Sequence, residues 1–293
     1  VPWSWMKGTR LTLLSMKDPN ALATSLAIAA LPKEAYELGK LFSDGGFKLA
    51  LVGGSVRDAI LGRLSTDLDF TTNAKPDETK NILKSWSERL WEVGRDFGTI
   101  AAEKNGITVE ITTYRREKYD LTSRKPIVEF GSEIEIDLSR RDFTVNAMAL
   151  ELTTPTPTFI DLFDGVTDLA KKVLRTPINA EELFTEDPLR MMRAARFISQ
   201  LQFEVDPEIP AAISKLASRM EIISAERIHD ISPMSKTLRM EKPHALCLGR
   251  RTVFSTDGFR ARVAANGVRL SIRRVVWAVA ARAEVSGRQR GRW

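Results

Sequence analysis

The stretch LALVGGSVRDAILGRLSTDLDF, residues 49–70, places the strongest constraint on how this chain can fold. Its apolar run ends at Gly53 and Gly54, which predicts a buried strand followed by a tight turn. SVRDAILG then predicts a short helix that ends at Gly62, and TDLDFTT alternates as a strand does. A glycine turn followed by a helix start favours phosphate binding, because backbone N–H groups can approach the anion closely.

Asp67 and Asp69 lie two residues apart on the predicted second strand, so their carboxylates point to the same face. Paired carboxylates suit Mg²⁺, which takes oxygen ligands together with substrate phosphates. By itself this spacing is common and favours the alternative of two solvated acids at an exposed edge. The preceding glycines and Arg57, a donor suited to phosphate oxygens, favour a nucleoside-triphosphate site with its metals.

A third carboxylate, Glu110, occurs in ITVEITTYR. It alternates with the apolar Val109 and Ile111, which predicts that Glu110 lies on the opposite face of its strand and faces the same cleft. The alternative is a solvent-facing acid on an amphipathic strand.

The segment SRRDFTVNAMAL concentrates polar side chains directly before an apolar run. In this cluster Arg141 is a candidate ligand for the triphosphate, and Asp142 and Asn146 are candidate partners of a ribose hydroxyl. The alternative is structural: Asp142 caps a helix, and Arg140 and Arg141 pair with it.

A later segment, FTEDPLRMMRAARF, predicts a helix that begins at Glu186-Asp187-Pro188. Its arginines recur every third residue and therefore share one broad side of the helix. This spacing is typical of a solvated face, but it also allows the arginines to line a cleft while the apolar residues pack. The three arginines are Arg190, Arg193 and Arg196.

The order of strand and helix signals predicts an α+β protein with a mixed-sheet head and an all-α neck. We expect an N-terminal extension and helix at 1–46, the head at 47–165, the neck at 166–242 and an atypical tail at 243–293. Within the head, KPDETKNILKSWSERL is predicted as a helix, Asn105-Gly106 as a hairpin turn, and REKYDLTSRKPIVEFG as a flexible loop. After TFIDLFDG the strand signals stop.

The tail from Pro243 differs from the rest in composition. It holds 11 arginines, no lysine and only two acids, a net charge of +9, whereas the whole chain carries +6. Residues 1–242 therefore carry −3, so the basic balance belongs to the tail alone. A disordered basic arm and an out-of-frame translation of a GC-rich gene both explain this composition.

The bulk composition excludes several classes of protein. No apolar run approaches the roughly 20 residues needed to span a bilayer, and the first residues lack the apolar core of a signal peptide. The single cysteine excludes an internal disulfide and is compatible with a reducing cytosol. We therefore expect a cytoplasmic protein. The true start residue and the oligomeric state stay open.

Four blocks in this order resemble one family: GGSVRDAILGRLSTDLDF, RRDFTVNAMA, FDGVTDLAKKVLRTP and EDPLRMMRAARF. They are similar to blocks of the class II tRNA nucleotidyltransferases that add CCA and of the related bacterial poly(A) polymerases. The resemblance covers about residues 49–240. It implies a nucleotidyltransferase head, a neck with a base-reading helix, and transfer of CTP and ATP to the 3′ end of tRNA with release of pyrophosphate.

The resemblance also implies roles for residues at matching positions. Asp67 and Asp69 would hold the catalytic Mg²⁺, and Glu110 is expected to join them as a catalytic carboxylate. Asp187 and Arg190 would read the base in place of a nucleic-acid template. The other residues implied to bind nucleotide are Gly54, Arg57, Arg141, Arg193 and Arg196.

Three readings of the function stay open. The first is a CCA-adding enzyme, and the second is a poly(A) polymerase or a partial, A-adding or CC-adding variant. The third is a truncated, non-catalytic product that binds nucleotide. Helical body and tail domains, which grip the tRNA in the family, are not evident after about Lys242.

Overall fold

The structure is a computed structural model that describes residues 18–92, 95–118, 127–131, 133–201 and 203–222. The chain divides into two compact units between Ile178 and Asn179. In the described ranges, every helix is too short or too polar to cross a membrane. The tail and the last predicted neck helix, SAERIHDISPMSKTLRM, lie outside the described residues.

The first unit is built around a mixed sheet of seven strands. These are β1 (Leu49–Val52), β2 (Asp67–Thr72), β3 (Arg89–Trp91), β4 (Thr99–Lys104), β5 (Ile107–Thr113), β8 (Met148–Glu151) and β9 (Thr158–Asp161). Their order across the sheet is β3-β4-β5-β2-β1-β8-β9. Strand β2 runs parallel to β5, and the other neighbouring strands are antiparallel. The predicted α+β class is confirmed.

Helices and short strands complete the two units. The first unit contains α1 (Pro19–Ala30), α2 (Lys33–Asp44), α3 (Gly54–Ile60), α4 (Pro76–Trp86), α5 (Ile134–Ser139), α6 (Gly165–Lys171) and the strands β6 (Arg115–Lys118), β7 (Ile127–Phe130) and β10 (Val173–Leu174). The second contains α7 (Ala180–Glu186), α8 (Leu189–Leu201), β11 (Glu204–Val205) and α9 (Glu208–Leu216).

Local sequence explains where several of these elements begin and end. The Asp18 carboxylate accepts hydrogen bonds from the N–H groups of Asn20 and Ala21, which caps α1. The β4–β5 hairpin turns at Asn105 and Gly106, whose φ angles are +52° and +76°. Both residues therefore adopt the left-handed conformation that a two-residue turn of this kind requires, and the predicted hairpin is confirmed.

The core lies on both sides of the central strand β1. All four of its residues are buried, which explains why LALV is continuously apolar rather than alternating. On one side, α2 comes so close to the end of β8 that a Cβ atom at Gly39 would lie 2.7 Å from the carbonyl oxygen of Leu152. The aromatic side chains of Phe42, Phe70 and Phe143 are buried in the first unit.

Four sequence-based expectations differ from the structure. Helix α4 ends at Trp86, and residues 89–91 form β3 rather than continuing the helix. The segment expected as a loop forms the hairpin strands β6 and β7 at its two ends, while residues 119–126 lie outside the described ranges. Strands do not stop after residue 165, since β10 and β11 follow. Glu186 ends α7 and does not begin α8, because a cap residue and a proline separate the two helices.

Gly165, in the FDGVTDL block, is closely packed, and a substitution there tests this packing. A Cβ atom there would overlap the carbonyl oxygen of Thr144 and lie 2.7 Å from Cγ of Met148. We expect Gly165→Ala to lower the free energy of unfolding by about 1–3 kcal/mol, as overpacking does. Gly131→Ala is the control, because its nearest neighbour would be 3.9 Å away. Equal melting temperatures for the two variants would contradict this packing.

Candidate active site

Three carboxylates share one face of the sheet in the first unit. Asp67 and Asp69 are exposed and alternate with the buried Leu68 and Phe70 along β2. Glu110 is exposed on β5 and pairs directly with Asp69 in the parallel register. Directly paired residues point to the same side of a sheet. The predicted convergence of the two aspartates, and their juxtaposition with Glu110, are therefore present in the fold.

The electrostatic environment of Asp69 is unfavourable to its own charge. Although the residue is exposed by surface area, protein atoms crowd its carboxylate, and this desolvation raises the pKa of Asp69. The negative charges of Glu110 and Asp67 raise the pKa further, while Arg141 acts in the opposite direction. A carboxylate whose surroundings oppose ionisation is typical of a site that binds a cation or does chemistry.

The donor atoms at this face fit a hard divalent cation. In the described part of the chain, no three His, Cys, Asp or Glu side chains are placed closely enough to form a closed metal cage. Mg²⁺ does not require one, because it is usually bound by one or two carboxylates, water and substrate phosphates. The two aspartates of β2 meet that requirement, with Glu110 beside them.

The glycine turn lies next to these carboxylates. Gly53 has a φ of +69°, and a Cβ atom there would lie 3.0 Å from Nη1 of Arg141 and 3.9 Å from Oδ2 of Asp69. A side chain at this position would therefore be strained and would fill the space between a guanidinium and a carboxylate. The adjoining Ser55 accepts a hydrogen bond of 3.0 Å from the N–H of Asp69, which fixes the start of α3 to β2.

Arg57 is buried in a network that the sequence did not predict. Its Nε and Nη2 atoms donate to the two carboxylate oxygens of Asp58 at 3.1 and 3.0 Å, and Nη1 donates to Oδ1 of Asn146. Nδ2 of Asn146 in turn donates to Asp142. Gly54 is part of the same arrangement, since a Cβ atom there would lie 3.3 Å from Nη2 of Arg57.

The two predicted ribose partners are part of this network. Asp142 and Asn146 are 8% and 5% exposed. Asp142 accepts from the N–H of Phe143 and from Asn146. These bonds connect the RRDFTVNA and GGSVRD blocks.

Arg141 and Arg140 both pair with Asp137. Nη2 of Arg141 donates to Oδ2 of Asp137 at 2.9 Å, and two nitrogens of Arg140 lie 3.3 Å from Oδ1. Burial acts to raise the pKa of Asp137, but the two guanidinium groups outweigh it and the pKa lies below its usual value.

The second unit holds the predicted base-reading pair. Asp187 caps α8, since its Oδ1 accepts from the N–H of Leu189 at 3.0 Å. Arg190 is 7% exposed and turns back along the chain, where Nη1 donates to the carbonyl oxygen of Leu183 and to Glu186. Glu186 is the acid one turn before Arg190, and the two side chains form an ion pair.

The two remaining arginines of α8 are half-buried rather than solvated. The guanidinium of Arg193 lies over the ring of Phe197, 5.9 Å from its centre. Arg196 lies one turn further along. The apolar Met191, Met192 and Ala194 are buried, so α8 packs by its apolar residues as the sequence predicted.

Sequence reasoning missed two buried acids that support these blocks. Asp137 precedes Arg140 and Arg141 by three and four residues, a spacing that brings helix neighbours together and could have revealed the pairing. Asp168 is 6% exposed and accepts from the hydroxyl of Thr144 at 2.6 Å and from Nε of Arg175 at 3.0 Å. No spacing rule predicts the contact with Thr144, because 24 residues separate it from Asp168 in the chain.

Comparison with known proteins identifies the class of this head. Residues 49–175 match the Poly A polymerase head domain, and this segment belongs to that family. The resemblance to CCA-adding enzymes and poly(A) polymerases that the four blocks carry is confirmed.

Individual relatives extend the match beyond the head. The CCA-adding enzyme of Enterococcus faecalis is 42% identical over 197 residues, which are 67% of this chain and 47% of that protein. The crystal structure of the Bacillus stearothermophilus CCA-adding enzyme in complex with CTP is 35% identical, with a TM-score of 0.58 over 68% of this chain and 47% of that one. The chain thus spans about half the length of these relatives.

A third similar protein is the Thermotoga maritima CCA-adding enzyme complexed with tRNA. It is 26% identical and has a TM-score of 0.58, with 71% of this chain and 48% of that chain covered.

Proposed function

We propose that this chain is a template-independent nucleotidyltransferase that adds CTP and ATP to the 3′ end of tRNA and releases pyrophosphate. The observation that carries the proposal is the placement of Asp67, Asp69 and Glu110 on one sheet face beside the Gly53 turn and Arg141. Relatives named CCA-adding enzymes support the choice of substrates. The transfer breaks the bond between the α- and β-phosphates and joins the α-phosphate to the 3′ oxygen of the tRNA.

Mg²⁺ is the proposed cofactor, held by Asp67 and Asp69. The raised pKa of Asp69 supports this assignment, because a bound cation would offset the repulsion from Asp67 and Glu110. When bound, such an ion activates the attacking hydroxyl and neutralises charge on the leaving pyrophosphate. Glu110 is assigned to the same catalytic group because it faces Asp69 directly.

The nucleotide is proposed to bind through Gly54, Arg57 and Arg141. The glycine turn gives phosphate oxygens access to backbone N–H groups. Arg141 offers a guanidinium at that turn, and its Nε atom is buried without a hydrogen-bond partner among the described residues. A phosphate oxygen would satisfy this donor. Arg57 holds Asp58 and Asn146 in place and contributes positive charge.

Base selection is assigned to Asp187 and Arg190, with Arg193 and Arg196 as further nucleotide-binding residues. A carboxylate accepts from the exocyclic amine that cytosine and adenine share, and an arginine donates to a ring acceptor on the same edge. Uracil and guanine reverse this pattern and leave buried groups unpaired, which discriminates strongly. Contact with Glu186 restricts the side chain of Arg190, as a fixed template requires.

A second candidate, within the same chemistry, is a poly(A) polymerase or a partial, A-adding or CC-adding enzyme. The match of residues 49–175 to the Poly A polymerase head domain supports this candidate. A non-catalytic nucleotide-binding product is the third candidate. A cytoplasmic location is proposed with all three, in keeping with the single cysteine.

Product analysis distinguishes these candidates. The full chain is incubated with Mg²⁺, CTP, ATP and a tRNA that ends before its CCA, and the products are sequenced. We expect additions of C, C and A that stop after three nucleotides. A run of A would establish the poly(A) alternative, additions of A alone or CC alone would establish a partial enzyme, and no extension would establish the non-catalytic one.

A further inference from the structure

Asp137 lies outside the proposed ligand set but is the best-buried acid near it. Its side chain is 1% exposed and accepts from Arg140, from Arg141 and, at 3.4 Å, from the hydroxyl of Thr71. A buried charge is retained only where partners compensate it. The partners of Asp137, which lies on helix α5, come from strand β2 and the RRDFT block, so this one carboxylate connects three segments.

The geometry of Arg141 shows what this carboxylate fixes. One terminal nitrogen, Nη2, is bonded to Asp137, and the other, Nη1, lies at the Gly53 turn. The guanidinium is planar and rigid, so anchoring Nη2 determines where Nη1 and Nε point. Nε is the buried donor that lacks a partner among the described residues.

We propose that Asp137 is a positioning residue for nucleotide binding: it holds Arg141 against the Gly53 turn so that the remaining guanidinium donors meet the triphosphate. This inference rests on the proposed function and deepens it. Asp137 itself touches no substrate. Without Asp137, the Arg141 side chain keeps its charge but becomes flexible. Ordering it when nucleotide binds then costs conformational entropy, which weakens binding.

A double-mutant cycle on nucleotide affinity tests the proposal. The affinity of the full chain for CTP with Mg²⁺ is measured by calorimetry for the wild type, Asp137→Asn, Arg141→Gln and the double variant. We expect Asp137→Asn to weaken CTP binding about tenfold, as loss of a well-placed charged hydrogen bond does. In the Arg141→Gln background, Asp137→Asn should not weaken CTP binding further, because the guanidinium that Asp137 positions is already absent.

Arg140→Gln is the matched control, since it removes the other ion pair of Asp137 and leaves Arg141 in place. It should lower the melting temperature and leave the affinity for CTP within about twofold of the wild type. Cytidine monophosphate is the second probe. Its affinity should be nearly unchanged by Asp137→Asn, because the proposed contact is to the outer phosphates.

If Asp137→Asn fails to fold because Arg140 has lost the carboxylate of Asp137, the double variant Asp137→Asn/Arg140→Gln is the substitute. It also removes the guanidinium charge of Arg140. Its affinity for CTP should fall as in the single variant. Additive effects in the cycle, or an equal loss with Arg140→Gln alone, would overturn the positioning role. Failure of the wild type to bind CTP would instead overturn the proposed function.

Discussion

Replacing Asp69 by asparagine is expected to reduce nucleotide transfer to tRNA by several orders of magnitude. The change removes one of the two proposed metal-binding carboxylates and keeps the shape of the side chain. Transfer of a phosphoryl group depends on positioning and on neutralising the charge that develops in the transition state, so loss of the ion removes most of the acceleration. Asp67→Asn should behave similarly. Initial rates of CTP incorporation measure both effects.

The stability of the Asp69→Asn variant gives an independent check. Because the folded protein raises the pKa of Asp69, the ionised carboxylate is less favourable in the folded than in the unfolded chain. Its contribution near neutral pH is therefore destabilising, and we expect the variant to melt at the same temperature as the wild type or higher. Asp77→Asn is the matched control, an exposed acid on α4 that is paired with Arg95, and it should keep full activity.

Two results would contradict the assignment of Asp69. Transfer rates within about tenfold of the wild type would show that this carboxylate does not hold an essential ion. A marked fall in melting temperature that accounts for the lost activity would assign Asp69 a structural role.

Arg190→Ala is expected to relax the choice of base. If Arg190 donates to a ring acceptor, its loss should cost about 1.5–3 kcal/mol of discrimination, or roughly tenfold to a hundredfold. The preference for CTP over UTP and for ATP over GTP should fall by that factor. This loss of preference is measured by comparing the incorporation of each of the four nucleotides into the same tRNA at saturating enzyme.

This variant also loses contacts within the second unit, so stability must be separated from selection. Arg190 is bonded to Leu183 and Glu186, and its removal should lower the melting temperature. Asn179→Ala provides the comparison, because the Asn179 side chain caps α7 and its loss costs about 1 kcal/mol without touching the proposed template. A destabilised Arg190→Ala variant that keeps the original base preference would refute the template role.

The sequence predicted the elements at the centre of the sheet because local pattern and tertiary context agree there. LALV is buried on both faces in the middle of the sheet, and DLDF alternates because one face of β2 is open. Strand β3 was missed because only three residues pair at the edge of the sheet, and three residues directly after a helix are too few to show an alternating pattern. The hairpin of β6 and β7 was missed because the segment REKYDLTSRKPIVEFG begins with polar residues, which predicted a loop.

The candidate site was predicted by residue type but not by hydrogen-bond partner. Spacing placed Asp67 and Asp69 on one face, and the parallel pairing of β2 with β5 was needed to bring Glu110 beside them. Arg57 was predicted to bind phosphate, and the fold adds hydrogen bonds from its guanidinium to Asp58 and Asn146. Contacts between residues far apart in the chain depend on topology, and local periodicity carries no information about them.

The central claim is that the carboxylate face of β2 and β5 catalyses nucleotide transfer. The most direct test follows pyrophosphate release and CTP incorporation together, with the full chain, Mg²⁺ and a tRNA that ends before its CCA. We expect one pyrophosphate for each nucleotide added, with both signals lost when Mg²⁺ is removed and in Asp69→Asn. A wild-type chain that binds CTP under these conditions but neither extends the tRNA nor releases pyrophosphate would contradict it.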